Sequence, residues 1–170
     1  DITSTLPWPN AIGKRTAVGP LVGAAESEAI SELARTTPLI LVITATTAAA
    51  HNLASELPFF LSDDREILLV PDWETLPYDN FSPHEDIVSD RLKALSRLPT
   101  LTSGVVIVSV TTLMHRLAPR HFIDAGVLSL KTGETLDAEQ FVRNLTRNGY
   151  RSVDTVYEHG EFATRGSLLD

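Results

Sequence analysis

Short apolar runs alternate with segments of helical periodicity along the first 120 residues. Three runs rich in β-branched residues predict buried strands, at residues 39–45, 66–70 and 104–110. Helical spacing predicts helices at residues 26–35, 46–57 and 84–98, and a short helix capped by threonine at 111–117. Because strands that alternate with helices form parallel sheets, the pattern predicts an α/β fold with helices on both faces of the sheet.

The alternation stops after Pro119. Residues 126–134 predict a strand and a turn, and residues 135–150 predict a helix with an acidic start and a glycine just past its end. Two short strands are predicted around Arg165. This mixture is typical of a small α+β domain.

We therefore expect a domain boundary near residues 119–125. The first domain, residues 1–120, would be α/β, and the second, residues 121–170, would be a smaller α+β domain. The sequence closes on the apolar run "RGSLLD" without a polar tail, from which we expect a fragment of a longer protein.

Composition narrows the classes of partner. The chain has a formal net charge of −8 and its basic residues are scattered, so a surface that grips DNA directly is not expected. No apolar run reaches the roughly 18 residues of a membrane helix, and the first residues do not follow the layout of a signal peptide. Without cysteine, disulfides and thiolate chemistry are excluded. We expect a cytoplasmic protein with a protein partner.

The stretch "LVGAAESEAI" has the outline of a strand–turn–helix phosphate loop. Against that pattern, Gly23 keeps one glycine, Ala25 lies inside the loop, Glu26 replaces the lysine and Ser27 stands at the hydroxyl position. A glutamate at this position would repel a polyphosphate, and in a partly desolvated site the repulsion is on the order of several kcal/mol. The alternative is an ordinary strand–helix turn, and either interpretation predicts no nucleotide binding.

A second candidate follows the strand at residues 66–70. Asp72 and Glu74 could act as metal ligand and general base of a nucleotide hydrolase. Pro71 and Trp73 interrupt the pair, and the chain offers no intact phosphate loop for the acids to serve. A strand end followed by a fixed loop is the structural alternative, and we favour it.

The loop after this strand is rich in aromatic residues and proline. Trp73, Tyr78 and Phe81 would suit recognition of a partner if exposed, or would cover the edge of the sheet if buried. Residues 84–86, His-Glu-Asp, are consecutive at a predicted helix start, so their side chains point in different directions. The helix dipole stabilises acids at this position, and no metal site is expected. His159 is expected in a turn of solvated charges.

Arg165 lies in a short predicted strand just before a glycine. Its guanidinium is a planar fork of donors that suits a carboxylate of another protein. The structural alternative is an ion pair within the chain.

Three segments carry a resemblance to a known family. They are "DWETLPYDNFSPHEDIVSDRL", "GVVIVSVTTLMHR" and "GYRSVDTVYEHGEFATRGSLLD". Together they resemble the N-terminal region of the bacterial transcription-repair coupling factors, the Mfd family, over residues 71–170. That region is itself similar to the excision-repair protein UvrB, whose first domain is RecA-like and carries a working phosphate loop.

The resemblance implies a catalytically inert module. Gly23, Ala25, Glu26 and Ser27 would be a decayed phosphate loop, and ATP and magnesium would bind motor domains elsewhere in the family's longer proteins. The family couples transcription to excision repair by an ATP-dependent translocase that displaces stalled RNA polymerase from DNA. This module would recruit UvrA and help to hold the full protein in a resting state.

The resemblance also implies which residues face UvrA. Arg165, in "GEFATRG", matches a segment shared with the second domain of UvrB. Phe162 and Thr164 are the weaker candidates, since alternate residues of a strand share one face.

Overall fold

The computed structural model describes residues 6–9, 11–62, 64–75, 78–127 and 130–170. Their contacts form two compact units. The first contains the described residues up to Asp72 together with Arg97–Arg116, and the second contains those of Trp73–Ser96 and Leu117–Asp170. The division of the sequence into residues 1–120 and 121–170 stays a prediction.

The helices and strands follow one another in the order that the hydrophobic pattern predicts through most of the chain. In chain order they are α1 (Ala25–Thr36), β1 (Leu39–Thr44), α2 (Thr47–Glu56), β2 (Ile67–Val70), α3 (Glu85–Arg97), β3 (Gly104–Ser109), α4 (Val110–Met114), α5 (Arg120–Gly126), α6 (Ala138–Arg147), β4 (Arg151–Ser152), β5 (Glu161–Phe162), β6 (Thr164–Arg165) and β7 (Leu168–Leu169). Single 3-10 turns extend α2 and α3.

A three-stranded parallel sheet forms the centre of the first unit. Its strand order is β1-β3-β2, with Ile40 opposite Val105 and Ile67 opposite Val105 on the other side. β3 is buried along its whole length. One face of the sheet packs on the two helices α1 and α2 through a core cluster of Ala34, Ile40, Ala50, Leu53, Leu57, Val105 and Ile107. The α/β fold class predicted from the sequence is confirmed.

The strand β1 is less buried than its apolar sequence predicts. Alternate side chains, those of Leu39, Leu41 and Ile43, are 43 to 58 % exposed. They lie in register with Gly104, Val106 and Val108, on the face of the sheet opposite the core cluster. The prediction of a strand buried on both faces is wrong for β1, whose buried side chain Ile40 faces the core cluster while the opposite face is exposed, whereas the central strand β3 fulfils it.

The apolar pair before Gly23 forms no strand. Among the described residues the sheet starts at β1, and Val22 is 83 % exposed. Two apolar residues after Pro20 are too short a run to bury a strand, and proline lacks one of the donors that a ladder requires. The predicted strand–turn–helix outline is therefore reduced to a turn and a helix.

The short helix α4 is capped by serine instead of threonine. Ser109 Oγ accepts a hydrogen bond of 3.2 Å from the backbone N–H of Thr112. The helix begins one residue earlier than predicted, so the last residue of β3 is also the cap. The cap of α2 is Thr46, whose hydroxyl accepts from the backbone N–H of Ala49.

The second unit contains α6 and four short strands. α6 begins at the cap Asp137, and its buried face is carried by Leu145. β4 pairs with β5 in parallel, and β6 pairs with β7 in an antiparallel hairpin that turns at Gly166. The helix and the two strands around Arg165 are thus confirmed. A strand and a turn were predicted at residues 126–134. Residues 128–129 lie outside the described part, and the other residues of this range form no strand.

Gly104 fixes the start of the central strand. Its φ is +138°, and a Cβ at this position would lie 2.3 Å from the backbone oxygen of Glu66, which accepts a hydrogen bond from Val105. Backbone cannot move aside as a flexible side chain does, so only glycine fits.

We predict that Gly104→Ala lowers the free energy of unfolding by at least about 2 kcal/mol, since it combines backbone strain with a steric clash. The measurement is urea denaturation followed by circular dichroism. Gly19→Ala is the matched control, because a Cβ there meets nothing within 4 Å, and we expect it to be neutral. Equal stability of the two variants would contradict this account of the sheet.

Candidate functional site

The turn that resembles a phosphate loop is filled by the chain's own side chains. Gly23 takes a φ of +62°, and α1 begins two residues later without a side-chain cap. Ser27 is fully buried, and its hydroxyl donates a hydrogen bond of 3.0 Å to the carboxylate of Glu56 at the end of α2. The hydroxyl that would bind magnesium in a working loop is thus closed off from solvent.

The charges around this turn are acidic. Glu26 is exposed in the first turn of α1, Glu28 follows it, and Glu56 lies against Ser27. Acids in a first helical turn stabilise the helix through its dipole, but they remove the attraction that a helix N-terminus otherwise offers to an anion. Glu56 was not a candidate from the sequence, since its contact joins residues 29 positions apart.

Asp72 lies at the carboxyl edge of the parallel sheet, where α/β folds usually bind ligands. One carboxylate oxygen accepts hydrogen bonds from the hydroxyls of Thr47 at 3.1 Å and Thr111 at 3.0 Å. Nε2 of His115 is 3.8 Å from the other oxygen. Ser109 extends the network to the hydroxyl of Thr111 at 2.8 Å. The carboxylate therefore ties three segments of the first unit together, which supports its structural interpretation.

The aromatic loop divides into a packed and an exposed part. Trp73 is half-buried, and the guanidinium of the buried Arg91 stacks 4.3 Å from the centre of its ring. Tyr78 and Phe81 are exposed. Residues 76–77 lie outside the described part. Trp73 is therefore an anchor of its own unit, while the two other rings are free to meet a partner.

Two histidines of the second unit contact one carboxylate, an arrangement that the sequence does not predict. Asp86 Oδ1 lies 3.2 Å from His159 Nε2, and Asp86 Oδ2 lies 3.3 Å from His84 Nδ1. All three side chains are more than half exposed. Across the described ranges, no group of three or more His, Cys, Asp or Glu residues is arranged to hold a metal ion.

Arg165 is exposed at the hairpin of β6 and β7. Its Nη2 donates to the backbone oxygen of Asp154 at 2.8 Å and to the hydroxyl of Thr155 at 3.1 Å. Thr164 beside it is also exposed. Phe162, by contrast, is only 3 % exposed, so its side chain is not on the surface that Thr164 and Arg165 present. β5 ends at Phe162 and β6 begins at Thr164, so the assumption of one continuous strand is wrong.

Glu161 organises the loop that precedes this hairpin. Its Oε2 accepts hydrogen bonds from the backbone N–H groups of Tyr157 at 3.0 Å and Glu158 at 3.2 Å, and Arg151 approaches its Oε1 at 3.4 Å. The N–H of Tyr157, followed by that of Glu158 and the charge of Arg151, lowers the pKa of the Glu161 carboxyl, although burial opposes the shift.

The lowered pKa of Glu161 predicts how stability depends on pH. Folding favours the ionised carboxyl, so its contribution is complete above the ordinary glutamate pKa of 4.5 and disappears as the pH falls through the lower folded value. We expect Glu161→Gln to lower the melting temperature at pH 7, and the deficit relative to the unchanged protein to shrink toward pH 3.

Thermal melts at several pH values measure this deficit. Glu139→Gln is the control, because that carboxylate is exposed in the first turn of α6 and lies 3.5 Å from Arg143, and its deficit at pH 7 should be much smaller than that of Glu161→Gln. A deficit of the same size at pH 3 and pH 7 would mean that the charge of Glu161 does not stabilise the loop.

Among the described residues, none of the helices combines the length and the hydrophobicity that a membrane-spanning segment needs.

Comparison with known proteins identifies relatives of this chain. Residues 128–170 match the family model described as the UvrB interaction domain. The transcription-repair-coupling factor of Escherichia coli is 43 % identical over 159 residues, which is 93 % of this chain and 14 % of that protein. That of Haemophilus influenzae is 42 % identical over 90 % of the chain and 13 % of its own length. The Mycobacterium bovis protein is 40 % identical over 82 % of the chain and 12 % of its length.

The chain therefore spans about one seventh of the length of these curated relatives. Because the identity extends over most of its 170 residues, the chain is a homologue of the transcription-repair-coupling factors and belongs to their family.

Proposed function

We propose that this chain is a non-catalytic adaptor of transcription-coupled DNA repair. Its second unit would recruit UvrA to RNA polymerase stalled at a lesion, and the module would help to hold the intact protein in a resting state. ATP hydrolysis, DNA translocation and contact with the polymerase would belong to other parts of the protein. The observation that carries the proposal is the exposed Arg165 on a hairpin inside the segment that matches the UvrB interaction domain.

The geometry of the hairpin supports a docking role. Ala163 and Asp170 exchange backbone hydrogen bonds in both directions at the base of the hairpin. Arg165 therefore lies on a short strand of regular antiparallel geometry. Arginine is enriched at the centres of protein interfaces, where its donors and its flat surface both contribute. The exposed Thr164 would contact UvrA beside Arg165. Phe162 is buried in the preceding strand and would support the hairpin from inside the unit.

The first unit supports the inert part of the proposal. Ser27 is fully buried, and Glu26 stands where a phosphate loop has lysine, so the turn offers no accessible hydroxyl and its charge would repel a triphosphate. A nucleotide hydrolase that uses Asp72 and Glu74 is the alternative. It is less well supported, since Asp72 already accepts hydrogen bonds from two threonines, and Glu74 lies in a turn with a φ of +57°.

We predict that the intact protein binds UvrA and that Arg165→Ala weakens this binding by about tenfold or more, the loss expected for an arginine at the centre of an interface. Isothermal titration calorimetry provides the affinity, and thermal melting checks that the variant is folded.

Arg143→Ala is the matched control for this measurement. It removes one positive charge from the same unit, at an exposed position on α6 whose one contact is at 3.5 Å. We expect it to bind UvrA normally. If the two variants lose equal affinity for UvrA, the net charge of the unit determines binding and the hairpin is not the docking site.

A further inference from the structure

The hairpin borders a cleft that has a distinct chemistry. A cavity of about 520 Å³ lies between residues 152–155 and the two residues of β6. Its lining offers three hydroxyls, one cation at Arg165 and one anion at Asp154. Val153 is half-buried and the other lining residues are exposed. We name this feature the 152–155 cleft.

The way in which Arg165 is held limits what it can bind. Nη2 has two hydrogens, and it has two acceptors inside the chain, the Asp154 backbone oxygen and the Thr155 hydroxyl. Both bidentate edges of a guanidinium use Nη2, one together with Nε and the other together with Nη1. With Nη2 engaged, Nη1 and Nε are the donors left for a ligand in the described structure, and they lie on separate sides of the group.

We propose that Thr155 is a positioning residue that orients Arg165, so that a carboxylate of the docking partner is received in the 152–155 cleft by a donor that remains available, Nη1 or Nε. This inference rests on the proposed function and names the chemistry of that site. Fixing the guanidinium before the encounter reduces the rotamer entropy that a long side chain loses on binding. The partner's second carboxylate oxygen would face the hydroxyls of the cleft.

Asp154 contributes to the same site in two opposite ways. Its backbone oxygen holds Arg165 at 2.8 Å, whereas its side-chain carboxylate lines the cleft and carries the same sign as the expected ligand. Repulsion between like charges at an interface lowers affinity and suppresses wrong partners. The carboxylate of Asp154 therefore restrains binding, and its removal should strengthen it.

The variants Thr155→Val, Thr155→Ser and Asp154→Asn separate these effects. Valine keeps the shape of threonine but removes the hydroxyl, and we expect UvrA affinity to fall about three- to tenfold, as for one lost hydrogen bond. Serine restores the hydroxyl and should restore affinity to within about twofold. Asparagine keeps the backbone oxygen and removes the charge, so it should bind about two- to fivefold more tightly at low salt, with the gain reduced at high salt.

Two results of the calorimetry would overturn the inference. If Thr155→Val binds UvrA as well as the unchanged protein while Arg165→Ala does not, then Arg165 needs no positioning. If Asp154→Asn binds more weakly, the group that enters the cleft is not a carboxylate. Normal melting temperatures of all variants exclude unfolding as the cause.

A second measurement separates this inference from the proposed function. The ¹⁵N resonances of the Arg165 guanidinium report its rotation without any partner. We expect slow rotation of Nη2 in the unchanged protein and in Thr155→Ser, and faster rotation in Thr155→Val. If UvrA does not bind the unchanged protein, the proposed function fails, and equal rotation in all three proteins would then overturn the positioning role as well.

Discussion

Burial of the central strand is the constraint on which the first unit depends. β3 is enclosed along its full length, with one neighbouring strand on each side, so it can carry only small or apolar side chains until its last residue. That residue is Ser109, whose hydroxyl caps α4 and contacts Thr111. Thr111 in turn donates to Asp72. The strand thus ends in a hydroxyl network at the edge where related folds bind ligands.

Both positions at which a nucleotide hydrolase would have its chemistry are occupied by the chain itself. Ser27 is bound to Glu56, and Asp72 is bound to Thr47 and Thr111. Internal hydrogen bonds of this kind satisfy polar groups that would otherwise need a ligand or water. Neither of these side chains therefore depends on a nucleotide to satisfy its hydrogen bonds.

The hydrophobic pattern predicts helices and strands well where the signals lie within the segment itself. The central strand β3, the helix α6 with its acidic start, and the two short strands around Arg165 were all readable from the sequence, although β3 ends one residue earlier than predicted. The exposed face of β1 was not, because an edge strand and a central strand have the same apolar sequence. The contacts of Ser27 with Glu56 and of Arg165 with Thr155 were also out of reach, since nothing in either segment indicates a partner that is distant in the chain.

The most direct test of the account is a calorimetric titration of the chain with ATP and magnesium. We predict no saturable heat, because a glutamate stands where a lysine is needed and the serine hydroxyl is fully buried. Saturable binding at micromolar concentrations, lost on Asp72→Asn, would contradict it and would establish this unit as a working nucleotide site.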